Sequence, residues 1–244
     1  MARKAKIPNE IKKRFARESQ KRKRDVRTKR KYYLIVCEGE KTEPNYFESL
    51  KQDLPKGILT TCQIDIEGTG RNTQSLVDEA LRIKSKYEDD YSRPIDKLWT
   101  VFDKDSFSAK DFNNAIFRCK NAVPEIGCAW SNEAFELWYL LHFHYYNNPV
   151  SRKDYQRLIE ENLRPHVGNN YKYQKNSKEM YSLLKQYGSL ENAIRNAKKL
   201  KEVYGGGEDF ANQNPRTEVY LLVMELFGLM NQQKLKHMGD DIES

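Results

Sequence analysis

Apolar and polar positions along this chain fall into blocks that read alternately as strands and helices. Two short runs free of charge, 32–36 and 98–102, consist of Tyr, Leu, Ile, Val, Trp, Thr and Phe. Runs of this kind suit strands buried on both faces, the habit of parallel sheets covered by helices. Strands are predicted over 32–36, 61–66, 97–102 and 126–130. Helices are predicted between them over 44–50, 74–87 and 109–121. Pro44 fits a first helical turn, where its missing donor costs nothing. Leu76, Val77, Ala80, Leu81 and Ile83 give the second helix an apolar face, and Ser108 is a natural cap for the third. The β-α-β-α-β-α-β order predicts an α/β fold. Right-handed crossovers would place helices on both faces of a largely parallel sheet of about four strands.

Beyond residue 130 the pattern turns helical. Ser131 and Asn132 read as caps of a helix carrying 135–143. The stretch 147–176 is polar, rich in Tyr, Arg, Lys and Asn, and broken by Pro149, Pro165 and Gly168. It reads either as an insertion or lid that touches nucleic acid or as an ordinary surface excursion. Helices are predicted over 177–187 and 190–204, with a glycine break at 205–207. A final helix over 217–230 carries Val219, Leu222, Val223, Leu226 and Phe227 towards the sheet. The expected organisation is a basic arm (1–31), an α/β core (32–146), a polar insertion with C-terminal helices completing the same domain (147–231), and a tail (232–244).

Composition narrows the function classes. The 244 residues are 38% hydrophobic and 32% charged, enough apolar material for one sizeable core but not for several independent domains. No apolar stretch approaches a membrane span and the N-terminus has no signal-peptide core, so a cytoplasmic protein is expected. Cys37, Cys62, Cys119 and Cys128 form no C-x-x-C pair and read as reduced core thiols. His142, His144, His166 and His237 lack metalloprotease spacing. The net charge of +8 is uneven: between Arg3 and Lys31 the only acids are Glu10, Glu18 and Asp25. Such an arm, with Lys21, Arg22, Lys23 and Arg24 at its centre, binds phosphate backbones through counterion release. A solubilising tail or a contact with an acidic protein explains the same charge, but nucleic acid is the favoured partner.

The candidate chemistry lies in two acidic clusters, Cys37-Glu38-Gly39-Glu40 and Phe102-Asp103-Lys104-Asp105, each following a predicted buried strand. Parallel strands end at one edge of a sheet, and ligand crevices open there. Acids gathered at that edge repel one another unless they share a cation, and hard Mg²⁺ or Mn²⁺ suits oxygen ligands. Either cluster alone reads equally as a solvated turn. Lys41 and Lys104 stand beside the acids as candidates to steady a phosphate. Glu136 lies among large apolar residues near a helix start, where it is paired, bound to metal, or turned to solvent. Glu133, nearer the start, is explained by the helix dipole. The loop 68–73 matches neither a Walker loop nor a dinucleotide fingerprint, so it reads as a plain connection.

Four segments taken together, YLIVCEGEKTEPNYF at 33–47, FDKD at 102–105, SNEAFELW at 131–138 and NPRT at 214–217, resemble the RloB family. Its members are encoded beside restriction-modification and phage-defence genes, often with an ATPase partner. The family looks like a divergent Toprim domain, in which a Glu after the first strand and a D-x-D after a later one serve Mg²⁺-dependent phosphoryl transfer. The resemblance implies that Glu38 is that glutamate, that Asp103 and Asp105 are the pair, and that Glu136 joins them. Asn132-Glu133-Ala134 departs from the family's more usual Asn-Pro-Cys. The implied activity is a Mg²⁺- or Mn²⁺-dependent nuclease on DNA or RNA, tRNA included, with Glu38 either a metal ligand or the general base. The alternative is a non-catalytic nucleic-acid sensor or adaptor docked on an ATPase. A homo-oligomer is compatible with the sequence, which does not fix the oligomeric state.

Overall fold

The computed structural model describes residues 31–56, 58, 62–70, 73–105 and 107–228. The basic arm, with Lys21, Arg22, Lys23 and Arg24, lies outside the described residues, as does the tail.

Four parallel strands build most of the sheet: β1 (Lys31–Cys37), β2 (Cys62–Gly68), β3 (Lys97–Asp103) and β4 (Gly127–Asn132). Among the described residues three helices lie on the connections between them, α1 (Thr42–Asp53), α2 (Thr73–Tyr91) and α3 (Ala109–Asn121). The α3 bounds are those predicted, and Ser108 accepts from the Asp111 N–H as its cap. The spatial order is β2-β1-β3-β4-β5, so the ends of β1 and β3 are neighbours. The fifth strand, β5 (Arg216–Thr217), runs antiparallel to β4 and is an addition to the four expected. Two residues carry no alternation for a sequence reading to find.

Alternation along β1 divides the core. Tyr33, Ile35 and Cys37 face one side with Trp99 and Val101, and Leu34 and Val36 face the other with Leu98 and Phe102. The second side is covered by α2 and α3 through Leu76, Val77, Ala80, Phe112 and Ile116. The first is covered by α1 and by five later helices: α4 (Glu136–Leu140), α5 (Arg152–Val167), α6 (Met180–Tyr187), α7 (Leu190–Tyr204) and α8 (Val219–Leu226). On this side the Trp138 indole N–H donates to the Tyr46 hydroxyl at 2.8 Å, which joins α4 to α1 without leaving a buried polar group unpaired. No helix among the described residues is long and apolar enough to cross a membrane.

Four expectations change. Ser131 and Asn132 are not helix caps but the last residues of β4. The Ser131 hydroxyl pairs with that of Thr217 at 2.9 Å, and the Asn132 amide donates to the carbonyls of Phe210 and Ala211 at 3.1 and 2.9 Å. The helix expected over 135–143 is only five residues long. Beyond Leu140 the chain tightens: the His142 and Phe143 N–H groups donate to the Tyr139 and Leu140 carbonyls, three residues back, and the Trp138 carbonyl lies 2.9 Å from His142 Nδ1. The final helix starts at Val219, since Thr217 belongs to β5. The largest change concerns the polar stretch, which holds the 16-residue α5. Ser151 and Asp154 form a capping box at its start, Tyr155, Ile159 and Leu163 bury one stripe, and Pro165 lies in its last turn.

Candidate active site

The carboxyl ends of β1 and β3 open into a cleft of about 470 Å³ lined by Glu38, Glu43, Asp103, Asp105, Glu136, Arg152 and Lys175, among others. Sheet geometry brings the first two acidic clusters together. Glu38 follows β1 and its N–H donates to the Val101 carbonyl of β3, while its carboxylate accepts from the Asp103 N–H at 3.2 Å. Asp103 is the last residue of β3 and is only 4% exposed. Asp105, two residues on, has a φ of +29° and its N–H is held by the Glu133 carbonyl at 3.0 Å. An L residue at positive φ is uncommon, and here it sits at a candidate site. Glu136, 1% exposed, enters from the start of α4. Its carboxylate accepts from the Tyr173 hydroxyl and the Gln156 amide, both at 3.2 Å. The solvent-facing alternative for Glu136 is therefore excluded. Glu133 is not a first-turn residue of the short helix, and its carboxylate takes the Asn214 amide at 3.4 Å.

Three cleft residues were not singled out by sequence reasoning. Glu43 stands in the first turn of α1, 7% exposed, with one carboxylate oxygen lacking a hydrogen-bond partner. A Cβ on Gly39 would lie 2.1 Å from that oxygen, so glycine at 39 is what leaves room for the Glu43 carboxylate. Arg152, at the start of α5, reaches across to the acids. Its Nη1 and Nη2 lie 2.8 Å from Asp105 Oδ2 and Asp103 Oδ2, and its Nε lies 3.5 Å from Glu136 Oε2. Lys175 arrives on the segment before α6. The Thr42 hydroxyl donates to the Lys175 carbonyl at 2.8 Å and the Asn45 amide to the Asn176 carbonyl at 3.0 Å, which fastens that segment to the start of α1. Glu43 was legible only as one more acid in the Glu38 to Glu43 run. Arg152 and Lys175 carry no local signature, because their partners are distant in sequence. Of the two predicted phosphate lysines, Lys41 lines the cleft. The Lys104 ammonium turns to the Phe107 carbonyl instead.

Crowding sets the electrostatics. Burial, aided by Glu43 and Asp105 and opposed by the Asp103 N–H, pushes the Glu38 carboxyl up to about 7. Burial and the neighbouring carboxylates raise Asp103 and Glu43 as well. Burial alone would lower Arg152, but Asp103, Glu136, Asp105 and Glu43 outweigh it and hold the guanidinium charged. His142, by contrast, is buried away from partners of opposite charge and pushed down to about 4, which makes it a neutral core group.

The donor set is all oxygen, and two deeply buried carboxylate oxygens, Asp103 Oδ1 and one of Glu43, have no partner. That chemistry suits a hard divalent cation. Among the described residues no three Asp, Glu, His or Cys side chains are already arranged around one point to hold a metal. Asp103 and Asp105 are instead closed on Arg152.

Neither the curated proteins nor the solved structures contain a significant match to this chain. Residues 33–226 match the family model described as RloB-like protein, which covers most of the chain and every acid of the cleft, and the chain belongs to that family.

Proposed function

We propose that the cleft is the active centre of a metal-dependent nuclease that hydrolyses phosphodiesters of DNA or RNA, with Mg²⁺ or Mn²⁺ as cofactor and an ATPase as working partner in defence against phage. The observation that carries this reading is the convergence of Glu38, Glu43, Asp103, Asp105 and Glu136 at adjoining strand ends, with two buried carboxylate oxygens left unpartnered. Asp103, with Glu38, Asp105 or Glu136, would hold the cation. When bound, it would offset charge on the scissile phosphate and help to orient water. Lys41 and Lys175, on the rim of the cleft, are available to bind the phosphate by charge. Glu38, with its proton affinity near neutrality, is suited to accept the proton of the attacking water if it is not itself a ligand.

One observation favours a second reading, a nucleic-acid-binding adaptor without catalysis: Arg152 already pairs with one carboxylate oxygen of each of Asp103 and Asp105. Strand scission separates the two. Purified full-length protein is incubated with DNA, total RNA or tRNA and Mg²⁺ or Mn²⁺, with and without an ATPase partner. Cleavage is expected from the wild type and lost in Glu38→Gln and Asp103→Asn. Undiminished cleavage by both variants would sink the site assignment, and binding without scission under every condition would favour the adaptor.

A further inference from the structure

Arg152 is an unusual residue for its position. It occupies the first residue of α5, where the dipole and the unpaired N–H groups favour anions over a guanidinium. Asp154, the acid of that first turn, is committed to the capping box with Ser151. What compensates Arg152 is the cleft. One guanidinium spans Asp103, Asp105 and Glu136 while its side chain is 24% exposed. The Nε contact, at 3.5 Å, is an ion pair without hydrogen-bond geometry, so the third arm of the fork is loose. A single positive charge also leaves the site under-neutralised, since Glu43 and Asp103 each retain a buried oxygen with no partner.

A divalent cation brings twice the charge and takes carboxylate lone pairs directly. It would compete for Asp103 Oδ2 and Asp105 Oδ2, the two oxygens that the guanidinium now holds at 2.8 Å. Two cations cannot share those oxygens without strong repulsion. From this geometry we infer that Arg152 is a resident counter-cation, a latch that holds the acids together in the metal-free protein and must leave Asp103 and Asp105 for a divalent cation to bind. Metal loading is then coupled to a movement of the Arg152 side chain at the start of α5. The inference rests on the metal-dependent reading of the cleft.

The test is a Mn²⁺ titration of the chelator-stripped full chain at neutral pH, with free Mn²⁺ followed by its paramagnetic resonance signal and heat by calorimetry. Arg152→Gln removes the latch. Arg152→Lys keeps the charge but loses the fork. Lys175→Gln removes one positive charge from the same cleft without touching Asp103 or Asp105. The expected result is Mn²⁺ binding tightened about tenfold or more in Arg152→Gln, by less in Arg152→Lys, and by no more than about threefold in Lys175→Gln. Affinity in Arg152→Gln equal to or weaker than wild type overturns the latch while leaving the metal site standing. An equal gain in Lys175→Gln also overturns it, because charge alone then explains the effect. No Mn²⁺ binding by any of the proteins removes the metal reading and the latch together. Should Arg152→Gln fail to fold, the Arg152 Nε resonance of the wild type is followed during Mg²⁺ titration. A large shift is expected, and an unchanged resonance at saturation overturns the inference.

Discussion

Replacing Glu38 with Gln should stabilise the metal-free protein at neutral and alkaline pH while removing the proposed metal ligand or general base. The Glu38 carboxyl is raised from 4.5 to about 7 in the fold, mainly by burial. A carboxyl raised in the folded state contributes stability fully present below about pH 4.5 and lost as the pH climbs through about 7. At 1.36 kcal/mol per pKa unit, ionised Glu38 costs the fold about 2–3 kcal/mol above that window, once its partial exposure is allowed for. Gln keeps a carbonyl oxygen for the Asp103 N–H, but the change from a charged to a neutral acceptor gives back about 1 kcal/mol. The net expectation is a gain of about 1–2 kcal/mol above neutrality, a rise of roughly 3–6 °C in the midpoint for a domain of this size. Below about pH 4.5 wild-type Glu38 is already neutral and the two proteins should match. Urea and thermal unfolding in a chelator, across the range from acid to alkaline, measure this. A Glu38→Gln protein less stable than wild type above neutrality, or a difference that is the same at both ends of the range, would contradict a burial cost on ionised Glu38.

Two further substitutions separate the site from its scaffold. Gly39→Ala sets a methyl where the Glu43 carboxylate lies, at 2.1 Å, so Glu43 must turn away. Cleavage should fall at least about tenfold while unfolding shifts by no more than about 1–2 kcal/mol, since the obstructed atom ends a flexible chain. Gly127→Ala meets the Trp99 ring at 2.2 Å on the core side of β4, far from the acids in the strand register. It should cost about 1–3 kcal/mol in chemical denaturation, and the fraction that remains folded should keep its activity.

The parts legible in the sequence were those whose signal is local. The charge-free runs before Glu38 and Asp103 specified β1 and β3, and parallel strands ending at one sheet edge allowed the two acids to converge; the adjacency of β1 and β3 that makes them meet was not in the sequence reading. Ser108 marked the start of α3 as its cap. Elsewhere local signals competed. Tyr155, Ile159 and Leu163 make a helical stripe, but the Lys, Arg and Glu around them and Pro165 masked it. Ser131 and Asn132 look like caps, yet β5 and the turn Phe210–Asn212 claim their side chains. The Arg152 fork joins residues 47 and 49 positions apart, and a contact of that kind leaves no mark in either segment alone.

The most direct test of the central claim is anomalous diffraction from crystals of the full chain soaked in Mn²⁺. The expected map has a Mn²⁺ peak in the cleft about 2.0–2.2 Å from carboxylate oxygens of Asp103 and at least one of Glu38, Asp105 and Glu136, with the Arg152 guanidinium withdrawn from Asp103 and Asp105. A saturating soak that leaves no peak among these acids, with the Arg152 fork intact, would contradict a divalent-cation centre at this sheet edge.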